Sequence, residues 1–398
     1  MNSSLIKESV SLQQVAERFS IKTESKECPF PDCRSQKAFK VWDDRRFKCF
    51  KCGRSGSVYD LLIHTGHALN FQEAHRKLVQ AFGNSDSSHQ YQSRIKTIAS
   101  IFRLYRSAAL THQNRTEDYC QARGWTSALT THPIGYAPHG HYLRENGIST
   151  STLNSLGLLT CKGEELYQHH LVWPVYNATG QIVHLCGRSL NPSDELRWLS
   201  SPGTPPVSRY LYNAPAIRDT DYCIVAEGVS DTYSLIQLGR PAVGTFGINA
   251  SLLHHVETFG HLTHLIAFYD RDRYPLGHAK EGQYISWTQV LPHLVELACE
   301  LKIPIFCCMV PDWPGIKDLN DYLVEIEYSN EVFNDYLRKS ACSIHEMAYK
   351  VWINQPQHHD KVWRLHKAIP NSSQLDILRN SIELRYGDWT QYLLETYL

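Results

Sequence analysis

Residues 263–273 read THLIAFYDRDR. An apolar run stops at Tyr269; Asp270 and Asp272 follow, each with an arginine after it. A short apolar run rich in β-branched and aromatic residues predicts a buried strand. Two carboxylates one residue apart raise each other's pKa, and the end of a buried strand also desolvates them partly. They need a counter-charge: Arg271 and Arg273, solvent, or a bound cation.

The flanking sequence decides the setting. In YCIVAEGVSDTYSLIQLG (222–239) a strand ends at Ala226, Glu227 and Gly228 make a turn, and a helix runs to about Leu238 with Gly239 as its stop. RPAVGTFG predicts a second strand, HLIAFYDRD a third and IPIFCCMV a fourth, with a helix over GQYISWTQVLPHLVELACELK between the last two. Strands alternating with helices predict a parallel sheet covered on both faces. In such sheets ligands bind at the C-terminal strand ends. Glu227, Asp270 and Asp272 lie at such ends, Asp231 follows in the next helix, and Asp318 lies in the loop after the fourth strand. Converging carboxylates offer oxygen ligands only, which favours Mg²⁺ or Mn²⁺ over Zn²⁺. Hard cations held in this way serve phosphoryl or nucleotidyl transfer. The competing reading pairs Arg271 and Arg273 with the aspartates on a solvated loop.

A second metal signal stands near the start. In CPFPDCRSQKAFKVWDDRRFKCFKC (28–52), Cys28, Cys33, Cys49 and Cys52 follow C-x4-C-x15-C-x2-C. Two thiol pairs flanking a hairpin-length insert, with Asp43-Asp44 as its turn, predict a zinc ribbon. Four ligands close the coordination sphere, so the Zn²⁺ is structural. Residues 22–54 carry ten Lys or Arg against five Asp or Glu, with Phe39, Trp42, Phe47 and Phe50 interleaved. Basic groups for phosphates and aromatic faces for bases suit single-stranded nucleic acid. Alternatively, the aromatics are the small core of the hairpin.

The remaining composition sets bounds. A chain of 398 residues predicts about two to four domains. Lys+Arg and Asp+Glu are 40 each, so any polyanion must be bound by local patches. No apolar run reaches the ~18 residues of a membrane span, and the N-terminal residues lack a signal-peptide core. Leu12, Val15, Ala16 and Phe19 instead fit a short amphipathic helix, and a cytosolic (cytoplasmic) protein is expected. Eight further cysteines (Cys120, Cys161, Cys186, Cys223, Cys299, Cys307, Cys308 and Cys342) are scattered and read mostly as small core residues. SVYDLLIHTGHALNFQEAHRKLVQAF carries two helical patterns, Asn70 capping the second, and polar NSDSSHQYQ (84–92) predicts a linker. Amphipathic helices are expected around 331–352 and 372–389.

The carboxylate constellation resembles the Toprim domain of primases, topoisomerases and some nucleases. The ribbon, from CPF to FKCFKCGRSGSVYDLL, resembles the zinc domain of DnaG-type primases. Between them, YCQARGWTSALTTHPIGYAP resembles that family's arginine-glycine helix and the strand after it. HHLVWPVYNATGQIVHLCGRSLNPSDELRWLSSPGTPPVSRYLYN resembles its polymerase segment. The matches run in order from residue 28 to about 325.

The resemblance implies an α/β chain: an N-terminal zinc-ribbon template-binding domain (1–83), a linker (84–94), an α+β subdomain of the RNA polymerase core (95–220), a Toprim parallel-sheet catalytic domain (221–328) and a small C-terminal helical subdomain (329–398). It implies a DNA-dependent RNA primase that makes short RNA primers from NTPs on a single-stranded DNA template. Glu227, Asp270 and Asp272 would be catalytic and, with Asp231 and Asp318, would hold Mg²⁺ or Mn²⁺. Arg188 would contact the template backbone or the nucleotide. Arg197 and Arg209 stand where the family usually has lysine, and would bind phosphates. Three departures follow. Pro31 replaces a histidine ligand common in the family, which leaves that role to Cys33; Arg271 replaces a glycine; and Asn320 stands at the family's second acid, able to coordinate only through its carbonyl oxygen. Replicative members continue into a helicase-binding domain, and no such domain is expected within these residues. A compact primase of phage, plasmid or other mobile element is therefore expected, with a replicative helicase as a candidate partner. A Toprim nuclease, a topoisomerase and a non-catalytic zinc-dependent binder of single-stranded nucleic acid are the alternatives.

Overall fold

The ribbon's short strands are Phe39–Trp42 (β1), Arg46–Cys49 (β2) and Ser55–Gly56 (β3), an antiparallel sheet in that order. The structure is a computed structural model that describes residues 10–23, 27–33, 35–42, 46–82, 86–126, 129, 132–177, 179–194, 196–201, 207–248, 252–274, 282–352 and 358–369. The Asp43-Asp44 turn lies outside the described residues.

Phe30, Phe39 and Phe47 are buried together, their ring centroids 5.3–5.9 Å apart, so these aromatics are the hairpin's core. Phe50 is 61% exposed. Three helices pad the ribbon: Leu12–Arg18 (α1), Val58–His64 (α2) and Phe71–Phe82 (α3). Leu12, Val15 and Ala16 are the buried stripe of α1. The Asn70 side chain accepts from the Glu73 N–H at 3.0 Å at the start of α3.

The segment expected as a linker is helical from Asp86, in a helix that runs unbroken to Thr111 (α4). Tyr91, Ile95 and Ile98 recur at helical spacing and are all buried. Their burial extends the helix back through polar sequence whose composition alone favours a loop. Gln113–Ala122 (α5) follows.

Four antiparallel strands come next: Gly135–Ala137 (β4), His170–Tyr176 (β5), Ile182–Ser189 (β6) and Trp198–Ser200 (β7), in sheet order β4-β5-β6-β7. Val172 and Leu185 face Ile98, Ile101, Phe102 and Tyr105 of α4. Leu171, Trp173, Val175 and Val183 face the opposite way, towards Trp125 and Tyr233. Strand residues alternate faces, so this sheet is clad on both sides.

The second sheet is built from Tyr222–Ala226 (β8), Ala242–Gly244 (β9), His264–Tyr269 (β10), Ile305–Met309 (β11) and Cys342–Ser343 (β12), in the order β12-β11-β10-β8-β9. All neighbours pair in parallel except β12 at the edge. One face packs Val229–Gln237 (α6), Leu319–Glu325 (α8) and Asn330–Ser340 (α9). The other packs Ile285–Leu301 (α7), Ile344–Trp352 (α10) and His359–Ala368 (α11). Residues 372–389 lie outside the described residues. Among the scattered cysteines Cys161 is exposed and Cys299 half-buried; the other six are buried. No described helix is long and apolar enough to cross a membrane.

Candidate functional site

The parallel register aligns the strand ends. Phe268 pairs with Ala226 and Tyr269 with Met309, so β8 and β10 finish side by side. Glu227 and Asp270 are the next residues of adjacent strands, which run about 4.8 Å apart. Gly228 then caps α6 and puts Asp231 in its first turn. Asp318 caps α8, accepting from the Asp321 N–H at 2.8 Å. A close approach permits this edge: a Cβ on Gly244 would lie 2.5 Å from Thr232 Oγ1 and 2.8 Å from the Gly228 carbonyl.

The electrostatics show that these groups share one field. Burial, then the charges of Asp231, Glu227, Asp318 and Asp272, push the Asp270 carboxyl from 3.8 up to about 9. Burial, then Asp318 and Glu227, push Asp231 up to about 8, against a lowering pull from Arg123. Burial raises Glu227 as well, opposed by Ser286, whose hydroxyl donates to Glu227 Oε2 at 2.8 Å. Protonated carboxyls at neutral pH mark a place short of positive charge, and oxygen donors alone fit a hard divalent cation.

The flanking arginines do not supply that charge. Arg271 donates from Nε to the Val310 carbonyl at 2.8 Å and reaches Asp312 at 3.7 Å. Arg273 lies over the Tyr284 ring, 4.6 Å from its centroid, and donates to its hydroxyl. Among the described residues neither arginine pairs with Asp270 or Asp272.

Arg188, on β6, stacks over Trp198 at 5.4 Å. Arg197 is exposed, and Arg209 is half-buried where its charge reaches His255. Asn320 is 1% exposed, and its amide is spent on protein hydrogen bonds, so coordination through its carbonyl oxygen finds no support.

The four thiols form a tight cluster. Cys28 Sγ lies 4.0 Å from Cys52 Sγ, and Cys33 Sγ lies 3.7 Å from Cys49 Sγ. A tetrahedron of ~2.3 Å Zn–S bonds has edges of about 3.8 Å. The cluster fits a structural Zn²⁺, with Cys33 in the set. Cys49 is buried, yet the Cys52 and Lys51 N–H groups hold its thiol down at about 7, ready for a cation. Among the described residues these thiols are the one set of three or more metal-ligating groups within 4.8 Å of one another. The carboxylates at the sheet edge do not form such a set.

Ser286 escapes the sequence reading; it enters from the start of α7 with no local pattern to mark it. Arg123 is the arginine of the arginine-glycine helix, but its partner is not legible in the sequence: it lies 195 positions before Asp318 and 3.5 Å from its Oδ2.

Two family profiles match the chain. The CHC2 zinc finger covers residues 3–94, and the N-terminal domain of the DNA primase catalytic core covers residues 104–217. A DNA primase of Legionella pneumophila is 25% identical over 287 residues, 67% of this chain and 49% of the relative. The chain spans about half the length of the curated relatives it matches. A DnaG primase catalytic domain solved with single-stranded DNA superposes with a TM-score of 0.59 at 20% identity, covering 75% of this chain and 100% of that one. The zinc-binding and RNA polymerase domains of the Aquifex aeolicus primase cover 99% of this chain and 100% of that one, with a TM-score of 0.56 at 17% identity. At these identities the structural likeness is one of fold.

Proposed function

We propose that this chain, a DnaG-type primase by its zinc finger, its catalytic-core domain and its fold, synthesises short RNA primers from NTPs on single-stranded DNA. The observation that carries the reading is the shared field of Glu227, Asp231, Asp270, Asp272 and Asp318 at the C-terminal edge of the parallel sheet. Asp270 and Asp231 are held protonated there, with Arg123 at Asp318 the one basic side chain against these acids among the described residues, and a divalent cation with a nucleotide's phosphates answers the remaining charge.

Glu227, Asp270 and Asp272 would hold Mg²⁺ or Mn²⁺, with Asp231 and Asp318 completing the acidic wall. The chemistry such a cation would supply is neutralisation of charge on a nucleotide's triphosphate during in-line attack by a 3′-hydroxyl. The protein's share is positioning. Ser286 fixes the Glu227 carboxylate, and the Thr245 hydroxyl donates to the Glu227 carbonyl at 3.1 Å, holding the turn. The α6 N-terminus adds a positive end near developing negative charge. Arg188, Arg197 and Arg209 serve template or nucleotide phosphates in this reading. The zinc ribbon holds the template, with exposed Phe50 beside Lys48 and Lys51 offering a base a ring to stack on.

The test uses single-stranded DNA, NTPs and Mg²⁺ or Mn²⁺, with short RNA products as the readout. Asp270→Ala abolishes them while the melting curve stays cooperative; undiminished product from that variant removes the proposed cation site. Metal-dependent DNA cleavage without any NTP requirement would favour a Toprim nuclease instead.

A further inference from the structure

Asn320 lies two residues beyond Asp318 in the first turn of α8, with 1% of its surface exposed. A buried amide needs partners for both ends. Its Oδ1 accepts from Arg123 Nη1 at 3.0 Å. Its Nδ2 lies 2.9 Å from the Arg123 carbonyl, 2.8 Å from Ser234 Oγ and 3.0 Å from the Tyr328 hydroxyl. One side chain thus grips Arg123 at its backbone and at its guanidinium. Tyr328 adds a second grip, donating to the same carbonyl at 2.6 Å.

The neighbours of Arg123 are fixed with equal care. Gly124 has φ +69°, and a Cβ there would fall 2.4 Å from the Tyr328 ring. Trp125 is fully buried and donates from Nε1 to Ser234 Oγ at 2.9 Å. The guanidinium so held lies 3.5 Å from Asp318 Oδ2 and 3.5 Å from Ser230 Oγ. Its charge also reaches Asp231. An aspartate at position 320 could accept from the guanidinium but would set a lone pair against the Arg123 carbonyl. Only an amide satisfies both ends.

We propose that Asn320 is a positioning residue that locks Arg123 against Asp318, so that a fixed guanidinium, in place of a second divalent cation, balances the Asp231–Asp318 side of the site. The inference rests on the reading of the carboxylate edge as a cation site. It assigns Asn320 to the protein's internal scaffold and Arg123 to the charge balance of the acidic wall.

Mn²⁺ binding to the zinc-loaded full chain, followed by electron paramagnetic resonance without DNA or nucleotide, tests it. Wild type takes up one Mn²⁺. Arg123→Gln removes the internal positive charge and tightens Mn²⁺ binding roughly tenfold, the scale on which a charge within about 4–6 Å acts on its neighbour. Asn320→Ala shifts binding the same way by less, and adds nothing in the Arg123→Gln background, because it acts through that arginine. Arg123→Lys keeps the charge and stays near the wild-type isotherm. A melting curve accompanies each variant, and Arg123→Lys remains informative if Asn320→Ala fails to fold. An unchanged isotherm in Arg123→Gln, additivity of the two changes, or a lysine variant that behaves like the glutamine one overturns the latch. No Mn²⁺ uptake in any variant overturns the cation site itself, and the latch with it. Lost priming with the Mn²⁺ pattern intact counts against the proposed reaction only.

Discussion

Replacing Asp270 by asparagine tests the shared field most directly. In the cation-free protein the Asp270 carboxyl is raised from 3.8 to about 9 by burial and by Asp231, Glu227, Asp318 and Asp272. At pH 8 the folded chain therefore keeps a proton there that the unfolded chain releases. That proton uptake costs stability as pH rises from about 4 to 9, the direction expected of an acid whose folded pKa lies above its unfolded value. The amide needs no proton and repels no neighbour. Holding a proton about four pH units above the unfolded pKa costs at most roughly 5 kcal/mol, and solvent at this partly open edge leaves on the order of 3 kcal/mol. Asp270→Asn should thus stabilise the cation-free protein by on the order of 3 kcal/mol at pH 8. The gain should shrink towards zero below about pH 4, where the acid becomes protonated in both states. In a thermal melt it corresponds to a Tm rise of about 6–10 °C for the unit built on the parallel sheet. The protein is exchanged into divalent-free buffer without chelator, since a chelator would strip the ribbon's zinc. A lower or unchanged Tm at pH 8 would refute the claim that these carboxylates strain one another.

Three further outcomes follow from the same geometry. Mg²⁺ or Mn²⁺ should raise the wild-type Tm more at pH 8 than at pH 5, because protons held on Asp231 and Asp270 compete with the cation; a larger rise at pH 5 contradicts this. Cys33→Ser should bring zinc content by atomic absorption from near one per chain towards zero, with protease cleavage appearing between residues 27 and 56. Structural Zn²⁺ contributes on the order of 10 kcal/mol to folding such modules. Phe50→Ala should weaken single-stranded DNA binding by about 1–3 kcal/mol in fluorescence anisotropy and leave Tm unchanged, since the ring is 61% exposed; a matching loss in Tm would make the ring structural.

Much of this molecule is written locally. The spacing of Cys28, Cys33, Cys49 and Cys52 announces a ribbon because metal geometry demands two close pairs. The strand-turn-helix around Glu227 and the apolar run ending at Asp270 announce a parallel sheet because chain periodicity and burial agree there. The linker reading over 84–94 was less complete for the same reason: polar composition is local, whereas the burial of Tyr91, Ile95 and Ile98 that makes the segment helical depends on a sheet far along the chain.

The sequence by itself determined which residues carry charge, which carry sulfur and which must be buried, since those follow from side-chain chemistry and period. The tertiary structure alone decided where the charges point. Arg271 and Arg273 flank the aspartates in sequence yet turn to Val310, Asp312 and Tyr284, while Arg123, almost two hundred positions from Asp318, comes to lie beside it. A long cationic side chain reaches several ångströms in any direction, so its partner is set by the packing of whole elements and not by its place in the chain.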